Sequence, residues 1–65
     1  MSVVEDVNEA KFRFFDEENA ASAIRYIYAA AEADRHGHTF LHAALTDCET
    51  VLDEHAQIYE GKNDD

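Results

Sequence analysis

The sequence predicts an all-α fold, an antiparallel helical hairpin that dimerises into a four-helix-bundle-like assembly. The 65 residues contain no proline and two glycines, so little in the chain interrupts a helix. Apolar residues in the second half recur at steps of three and four, as on one face of a helix. We expect a single domain over residues 1–65. Because a chain this short buries only roughly 60% of its unfolded surface, a second copy is expected to complete the core.

The first predicted helix runs from about residue 3 to residue 35. Ser2 and Glu5 have the spacing of a capping box at its start. Three residues in the segment 20–33 are not apolar, so this part of the helix is apolar on at least two sides. Apolar residues also follow one another at intervals of seven, at Val7, Phe14, Ala21 and Tyr28.

A shorter helix is the alternative for this region. Residues 11–15, KFRFF, alternate like a strand, and residues 16–19 have the composition of a turn that opens a helix. The long helix is favoured, and along its outside Arg13 lies four residues from both Glu9 and Glu17, which gives favourable ion pairs. Whether residues 10–16 are helix or strand stays open at this point.

The second predicted helix follows a turn at residues 36–38. Gly37 is expected to end the first helix in a left-handed conformation, and Thr39 carries the side chain of an N-cap. This helix runs from about residue 39 to about residue 60, and Gly61 opens a polar tail at residues 61–65. Its apolar face consists of Leu41, Ala44, Leu45, Cys48, Val51, Leu52, His55, Ile58 and Tyr59.

Two sets of residues are predicted to meet other chains. The long first helix extends beyond the second, and phenylalanines exposed at that density mark an interface; tyrosine and arginine are enriched in binding hot spots. A histidine in the dimer core can fix register and loosen the assembly near pH 6. The predicted dimer core is Val7, Ala21, Ile24, Tyr28, Ala31, Cys48 and His55. The predicted partner-binding residues are Phe12, Phe14, Phe15, Arg25 and Tyr26.

The net charge of the chain limits the classes of partner that it can bind. Fifteen acidic and five basic residues give a net charge of −10, which argues against direct nucleic-acid binding because phosphates need a cluster of lysine and arginine. Such acidity suits a basic partner, a high-salt environment or mimicry of a nucleic acid. The first residues lack the positive charge of a signal peptide, and no apolar run reaches roughly 18 residues. We therefore expect a cytoplasmic protein without membrane contact.

Catalytic and metal-binding patterns are sparse. His36, His38 and His42 are the only group with metal-ligand spacing, and we interpret them as residues of a polar turn. Cys48 and His55 are seven residues apart, about 10 Å along a helix, which is too far for a nucleophile and its base. A single cysteine also excludes a disulfide within one chain. We predict a protein that is not an enzyme and needs no metal or cofactor.

The layout resembles that of Rop-type plasmid copy-control proteins, in which a short helical hairpin dimerises. The likeness rests on chain length, one interhelix turn, an acidic tail, and the residues Cys48-Glu49-Thr50, His55-Ala56 and Tyr59. This resemblance implies RNA contact through a stripe on the first helix, where Phe14 and Arg25 match the aromatic and basic positions. Glu18 and Ala10 depart from that stripe, because a carboxylate repels phosphate and a methyl group makes no polar contact.

The function predicted from the sequence is that of a small acidic regulator, inhibitor or adaptor that acts as a homodimer by binding another protein. One alternative is a nucleic-acid mimic that inhibits a DNA- or RNA-binding protein. A further alternative is an RNA-binding hairpin dimer of the Rop type.

Overall fold

Three α-helices make up the computed structural model, which describes the backbone of residues 2–63 and the side chains of residues 2–56. Helix α1 spans Val3–Glu17, α2 spans Ala20–Arg35 and α3 spans Leu41–Asn63. The described backbone contains no strand. The predicted all-α class is therefore confirmed, with three helices in place of the two of the predicted hairpin.

The break between α1 and α2 corrects the prediction of one helix over residues 3–35. Glu18 adopts a left-handed conformation with φ of 51°, and its N–H donates to the Phe14 carbonyl at 2.7 Å. Asn19 is the N-cap of α2: its side-chain oxygen accepts from the Ser22 N–H at 2.8 Å, and the Ser22 hydroxyl accepts from the Asn19 N–H at 3.3 Å. This reciprocal pair satisfies N–H groups that have no partner at the start of a helix. A new helix therefore begins after Asn19.

The alternative reading of this region is half right. A turn does precede a shorter second helix, as residues 16–19 suggested, but residues 11–15 lie within α1 and form no strand. The expected capping box at the start of α1 is confirmed. The Glu5 N–H donates to the Ser2 hydroxyl at 3.1 Å, and the Ser2 N–H donates to a Glu5 carboxylate oxygen at 3.2 Å.

The turn between α2 and α3 contains the expected glycine cap. Gly37 has φ of +91°; its N–H donates to the Asp34 carbonyl at 3.0 Å, and the His38 N–H donates to the Ala33 carbonyl at 3.1 Å. These two bonds form a Schellman motif. A side chain at Gly37 would meet open space. Glycine is therefore favoured at this position by the positive φ and not by lack of room.

Helix α3 starts later and ends later than predicted. Its first residue is Leu41, and the Asp34 carboxylate accepts from the backbone N–H groups of Phe40 at 2.7 Å and Leu41 at 3.2 Å. Asp34, from the preceding helix, thus caps the start of α3, which is the role that Thr39 was expected to have. The α3 backbone continues to Asn63, so Gly61 does not end the helix. Residues 64 and 65 of the predicted tail, and the side chains of Ile58 and Tyr59, lie outside the described residues.

The core lies around α2, which packs against both α1 and α3. The buried apolar side chains are Val7, Phe14, Ala23, Tyr26, Ala30, Ala33, Ala44 and Cys48. Half of them are alanines, which let helices approach closely but each bury little area. The radius of gyration is 13.5 Å, whereas a compact domain of this length has about 11 Å. The single chain is thus elongated around a small core.

Candidate protein-binding surfaces

The middle of α1 carries an exposed aromatic surface formed by Lys11, Phe12 and Phe15. Phe12 is 67% exposed and Phe15 is 38% exposed. The Lys11 Nζ lies 5.8 Å from the centre of the Phe15 ring, within the range of a cation–π interaction. The Phe15 and Tyr26 rings pack edge to face at a centroid distance of 6.5 Å. Phe12 and Phe15 are thus the two predicted partner-binding aromatics that remain accessible.

Phe14 and Tyr26 were predicted to meet a partner, and that prediction is wrong. Both side chains are buried within the single chain, with 0% and 2% of their surface exposed, and their ring centres are 6.0 Å apart. The Tyr26 hydroxyl donates to the Asp47 Oδ2 at 2.8 Å. Burial, and then the hydrogen bond to the Asp47 carboxylate, raise the pKa of Tyr26 well above its ordinary value of 10.0. Tyr26 therefore links α2 to α3 as a neutral phenol.

Some residues of the predicted dimer core are buried within the single chain, and others are exposed. Val7 and Cys48 are buried inside one chain, so neither offers surface to a second copy. Ala21, Ile24 and Tyr28 are exposed, and Ala31 is half-buried. Sequence reasoning placed Tyr28 in the core and Tyr26 outside, and the structure shows the reverse.

A second apolar surface runs along α2 and α3, and we call it the α2–α3 face. It is formed by Ile24, Tyr28, Leu45 and Leu52, of which Tyr28 is 72% and Ile24 is 54% exposed. The hydrogen bond between Tyr26 and Asp47 marks the side of the α2–α3 pair that α1 covers. Ile24, Tyr28 and Leu45 each lie two residues from one of these partners, and two residues in a helix correspond to about 200°. Ile24, Tyr28 and Leu45 therefore point away from the contact between Tyr26 and Asp47.

Cys48 is a buried thiol between α2 and α3. Its Sγ lies 3.9 Å from the Ala23 carbonyl oxygen. Burial, followed by the nearby Asp47 carboxylate, raises the pKa of the Cys48 thiol. A buried protonated thiol is a poor nucleophile, so Cys48 packs the helix interface rather than offering a reactive group.

His55 contacts the break between α1 and α2. Its Nε2 lies 2.9 Å from the Glu18 Oε1, and both side chains are about half exposed. This contact joins residues 37 positions apart in sequence. His55 was predicted to lie in a dimer core, and instead it connects α3 to the left-handed residue of the same chain.

Arg25 lies at a cleft between α1 and α2. The cleft has a volume of about 260 Å³ and is lined by Asp6, Glu9, Ala10, Arg13 and Arg25. Two carboxylates and two guanidinium groups share its walls, so opposite charges balance there. Arg25 is exposed, and its predicted contact with a partner stays a prediction.

The turn histidines do not converge. His36 Nε2 lies 3.1 Å from a Glu32 carboxylate oxygen, whereas the His38 ring packs near the Phe40 ring at 5.9 Å. Among the side chains that the structure describes, no three histidine, cysteine or acidic groups come together as metal ligands. Likewise, none of the helices within the described residues combines the length and apolarity needed to cross a membrane.

Comparison with known proteins adds no relative. No protein-family model, curated protein or solved structure matches this chain. The resemblance to Rop-type proteins therefore rests only on chain length, the interhelix turn, the acidic tail and short residue matches.

Proposed function

We propose that this protein is a small, acidic, non-enzymatic regulator, inhibitor or adaptor that binds another protein through the aromatic surface of α1. The observation that carries the proposal is the 67% exposure of Phe12 beside Phe15 on a well-formed helix. Phe15 also packs against Tyr26, whereas Phe12 is the more exposed ring of the two. Aromatic side chains bury about 150–250 Å² each when they enter a partner's pocket.

The charged residues next to Phe12 indicate which kind of partner would fit this surface. Glu9 precedes Phe12 by three residues and Asp16 follows it by four, so both carboxylates lie next to Phe12 on the helix. A partner that fits offers an apolar pocket bordered by lysine or arginine. The net charge of −10 would speed the approach of such a partner, and the phenylalanines would supply the apolar anchors that dominate binding.

In the same proposal the protein acts as a homodimer. Two copies present two aromatic surfaces, and a bivalent protein binds a repeated or dimeric partner more tightly than one copy does.

The test is capture of partners on the immobilised protein from the lysate of its native cells. We expect a protein that is retained by the wild type and lost with Phe12→Ala, because the substitution removes an exposed ring without opening the core. Thr50→Ala, which changes an exposed polar residue on α3, is the matched control and should retain the partner. Far-UV circular dichroism of each variant checks that the helices remain.

Two results would contradict the proposal. Equal capture by wild type and Phe12→Ala would show that the aromatic surface is not the contact. Capture that is independent of Phe12 and falls steeply between about 0.05 and 0.5 M salt would instead indicate nucleic-acid mimicry, since screening weakens contacts between charges and leaves apolar contacts intact.

A further inference from the structure

We propose that the cleft between α1 and α2 binds a small zwitterion, a molecule with an anionic group at one end and an ammonium group at the other. The cleft has a volume of about 260 Å³, slightly below the range of pockets for drug-sized ligands, so it suits a ligand of the size of an amino acid. None of the residues that line it belongs to the aromatic surface. The cleft is therefore a second site, separate from the protein-binding surface of α1.

Both helices contribute charged residues to this cleft. Asp6, Glu9 and Arg13 are three and four residues apart, so they lie along one side of α1. Arg25 lines the other wall, from α2. Ala10 is half-buried in the same cleft, and its methyl group fills little of the space between the charged side chains. The charged lining residues are exposed, so a ligand can reach them from solvent.

The two arginines lie at nearly the same level of the helix pair. The Phe14 ring packs against the Tyr26 ring at a centroid distance of 6.0 Å. Arg13 precedes the first of these residues, and Arg25 precedes the second. Asp6 is seven residues before Arg13, which corresponds to about 10 Å along α1. The backbone therefore places both arginines at one end of the cleft and Asp6 at the other.

The guanidinium group of Arg13 is available to a ligand. Its position predicts ion pairs with Glu9 and Glu17, but among the described side chains no carboxylate lies within ion-pair distance of Arg13, so that prediction is wrong. By contrast, Arg35 meets Glu32 at 3.5 Å. A guanidinium presents its N–H donors in a planar fork that matches a carboxylate or a phosphate, and the fork of Arg13 is not used by the described part of the chain.

Arg25 is likewise available, because its own helix offers it no carboxylate. The residues one turn before and after it are Ala21, Ser22, Tyr28 and Ala29. Within the described side chains Arg25 also takes part in no ion pair. Two guanidinium groups, one from each helix, can therefore hold the same anionic group at this end of the cleft, and such charge-assisted hydrogen bonds are the strong ones.

The balance of charge in the cleft selects a zwitterion. A ligand with only an anionic group would meet the carboxylates of Asp6 and Glu9, and the net charge of −10 on the chain would oppose its approach. A ligand with only a cationic group would meet both arginines. A zwitterion places its anionic group against the arginines and its ammonium group against the carboxylates, so neither set of charges repels it.

The test is a titration of the isotope-labelled protein followed by NMR, with δ-aminovalerate as the probe. Valerate and pentylamine are matched controls, because each keeps the carbon chain and lacks one of the two charged ends. We expect saturable shifts of amide signals along the cleft, with a Kd of about 1 mM for so small a ligand. Each control should bind about tenfold more weakly or less, since it loses the hydrogen bonds of one charged group. The ionic strength is held at about 0.1 M throughout.

Variants of the lining residues test the assignment of each end. Arg13→Gln and Arg25→Gln should each weaken binding of δ-aminovalerate about tenfold. The double variant Asp6→Asn, Glu9→Gln should weaken δ-aminovalerate but strengthen valerate, a reversal that general damage to the fold would not produce. Arg35→Gln removes the same charge from α2 outside the cleft and is the matched control, so it should bind as the wild type does. Circular dichroism verifies that each variant is folded.

Three results would overturn the proposal. These are no saturable shift with δ-aminovalerate, equally tight binding of valerate or pentylamine, and equal binding by the wild type and a variant with both Arg13→Gln and Arg25→Gln. Phe12→Ala should bind δ-aminovalerate as the wild type does, because that ring lies outside the cleft. Loss of a protein partner in Phe12→Ala with zwitterion binding retained would support both sites, and failure at one site leaves the other to its own test.

Discussion

The hydroxyl of Tyr26 donates a hydrogen bond of 2.8 Å to the carboxylate of Asp47, and this contact fixes how α2 and α3 face each other. The ring of Tyr26 also lies against Phe14 of α1, so one side chain contacts all three helices. On the opposite side of the same two helices, Ile24 and Tyr28 remain uncovered. The side of α2 that carries Tyr26 is therefore core, and the side that carries Ile24 and Tyr28 is surface.

We predict that Tyr26→Phe lowers the free energy of unfolding by about 1.5–3 kcal/mol, the cost of a hydrogen bond to a charged group. The ring remains to fill the core, so the loss is that of the hydroxyl contact. Tyr28→Phe removes the same atom at an exposed position and should change stability by less than about 0.5 kcal/mol. Urea unfolding at equal protein concentration measures both. Equal effects of the two substitutions would contradict the burial of Tyr26.

We predict that stability falls in alkaline solution. Burial raises the pKa values of Tyr26 and Cys48, so folding favours their neutral forms. Their contribution is fully present below the unfolded pKa values, about 8.5 for cysteine and about 10 for tyrosine, and is lost as pH rises beyond them. Thermal unfolding between pH 7 and 11 should show a falling midpoint above about pH 9, and Tyr26→Phe should reduce that fall. A flat profile to pH 11 would show that neither group is shifted.

The position of the helix break explains which sequence predictions succeeded. The series Val7, Phe14, Ala21 and Tyr28 is regular in sequence, but the left-handed Glu18 resets the helical phase between its second and third members. Val7 and Phe14 are accordingly buried, whereas Tyr28 lies outside. Within α2 alone, Ser22, Tyr26, Ala30 and Ala33 recur at steps of three and four, and this pattern identifies the buried side once the break is known.

The break itself had only a weak local signal. Asn19 and Ser22 form a capping box in which serine takes the place usually held by glutamate or glutamine, and no glycine or proline accompanies it. Gly37, by contrast, was predictable, because a positive φ after a helix favours glycine. The Asp34 cap of α3 could not be predicted from spacing, since the acceptor and the donors lie on different helices. The exposure of Phe12 and Ile24 likewise depended on packing that the sequence does not display.

We predict that Glu18→Gly raises the free energy of unfolding by about 1 kcal/mol. A left-handed conformation costs a residue with a side chain about 1–2 kcal/mol, and glycine avoids that cost. The substitution also removes the contact between Glu18 and His55, which is half exposed and contributes less than about 1 kcal/mol. Glu17→Gly, at the last residue of α1, should instead destabilise, by less than the penalty of about 1 kcal/mol in a helix interior. Urea unfolding of the two neighbours should give opposite signs, and destabilisation by both would contradict the left-handed geometry.

We predict that Asp34→Ala destabilises the protein by about 1–2 kcal/mol because the Phe40 and Leu41 N–H groups lose their carboxylate acceptor. Thr39→Ala is the matched control. Threonine at this position precedes the first residue of α3 by two, so its removal should change stability by less than about 0.5 kcal/mol. Thermal unfolding of the two variants decides between them, and a larger loss at Thr39 would restore the cap that the sequence suggested.

We predict that salt strengthens self-association. Each copy carries a net charge of −10, so two copies repel each other. Raising the ionic strength from about 0.05 to 0.5 M shortens the screening length from roughly 14 to 4 Å, which reduces that repulsion and leaves apolar contacts unaffected. The dimer dissociation constant measured by sedimentation should therefore fall as sodium chloride is added. An interface held mainly by ion pairs predicts the opposite slope, and the sign of the slope thus determines whether apolar burial or ion pairing joins the two copies.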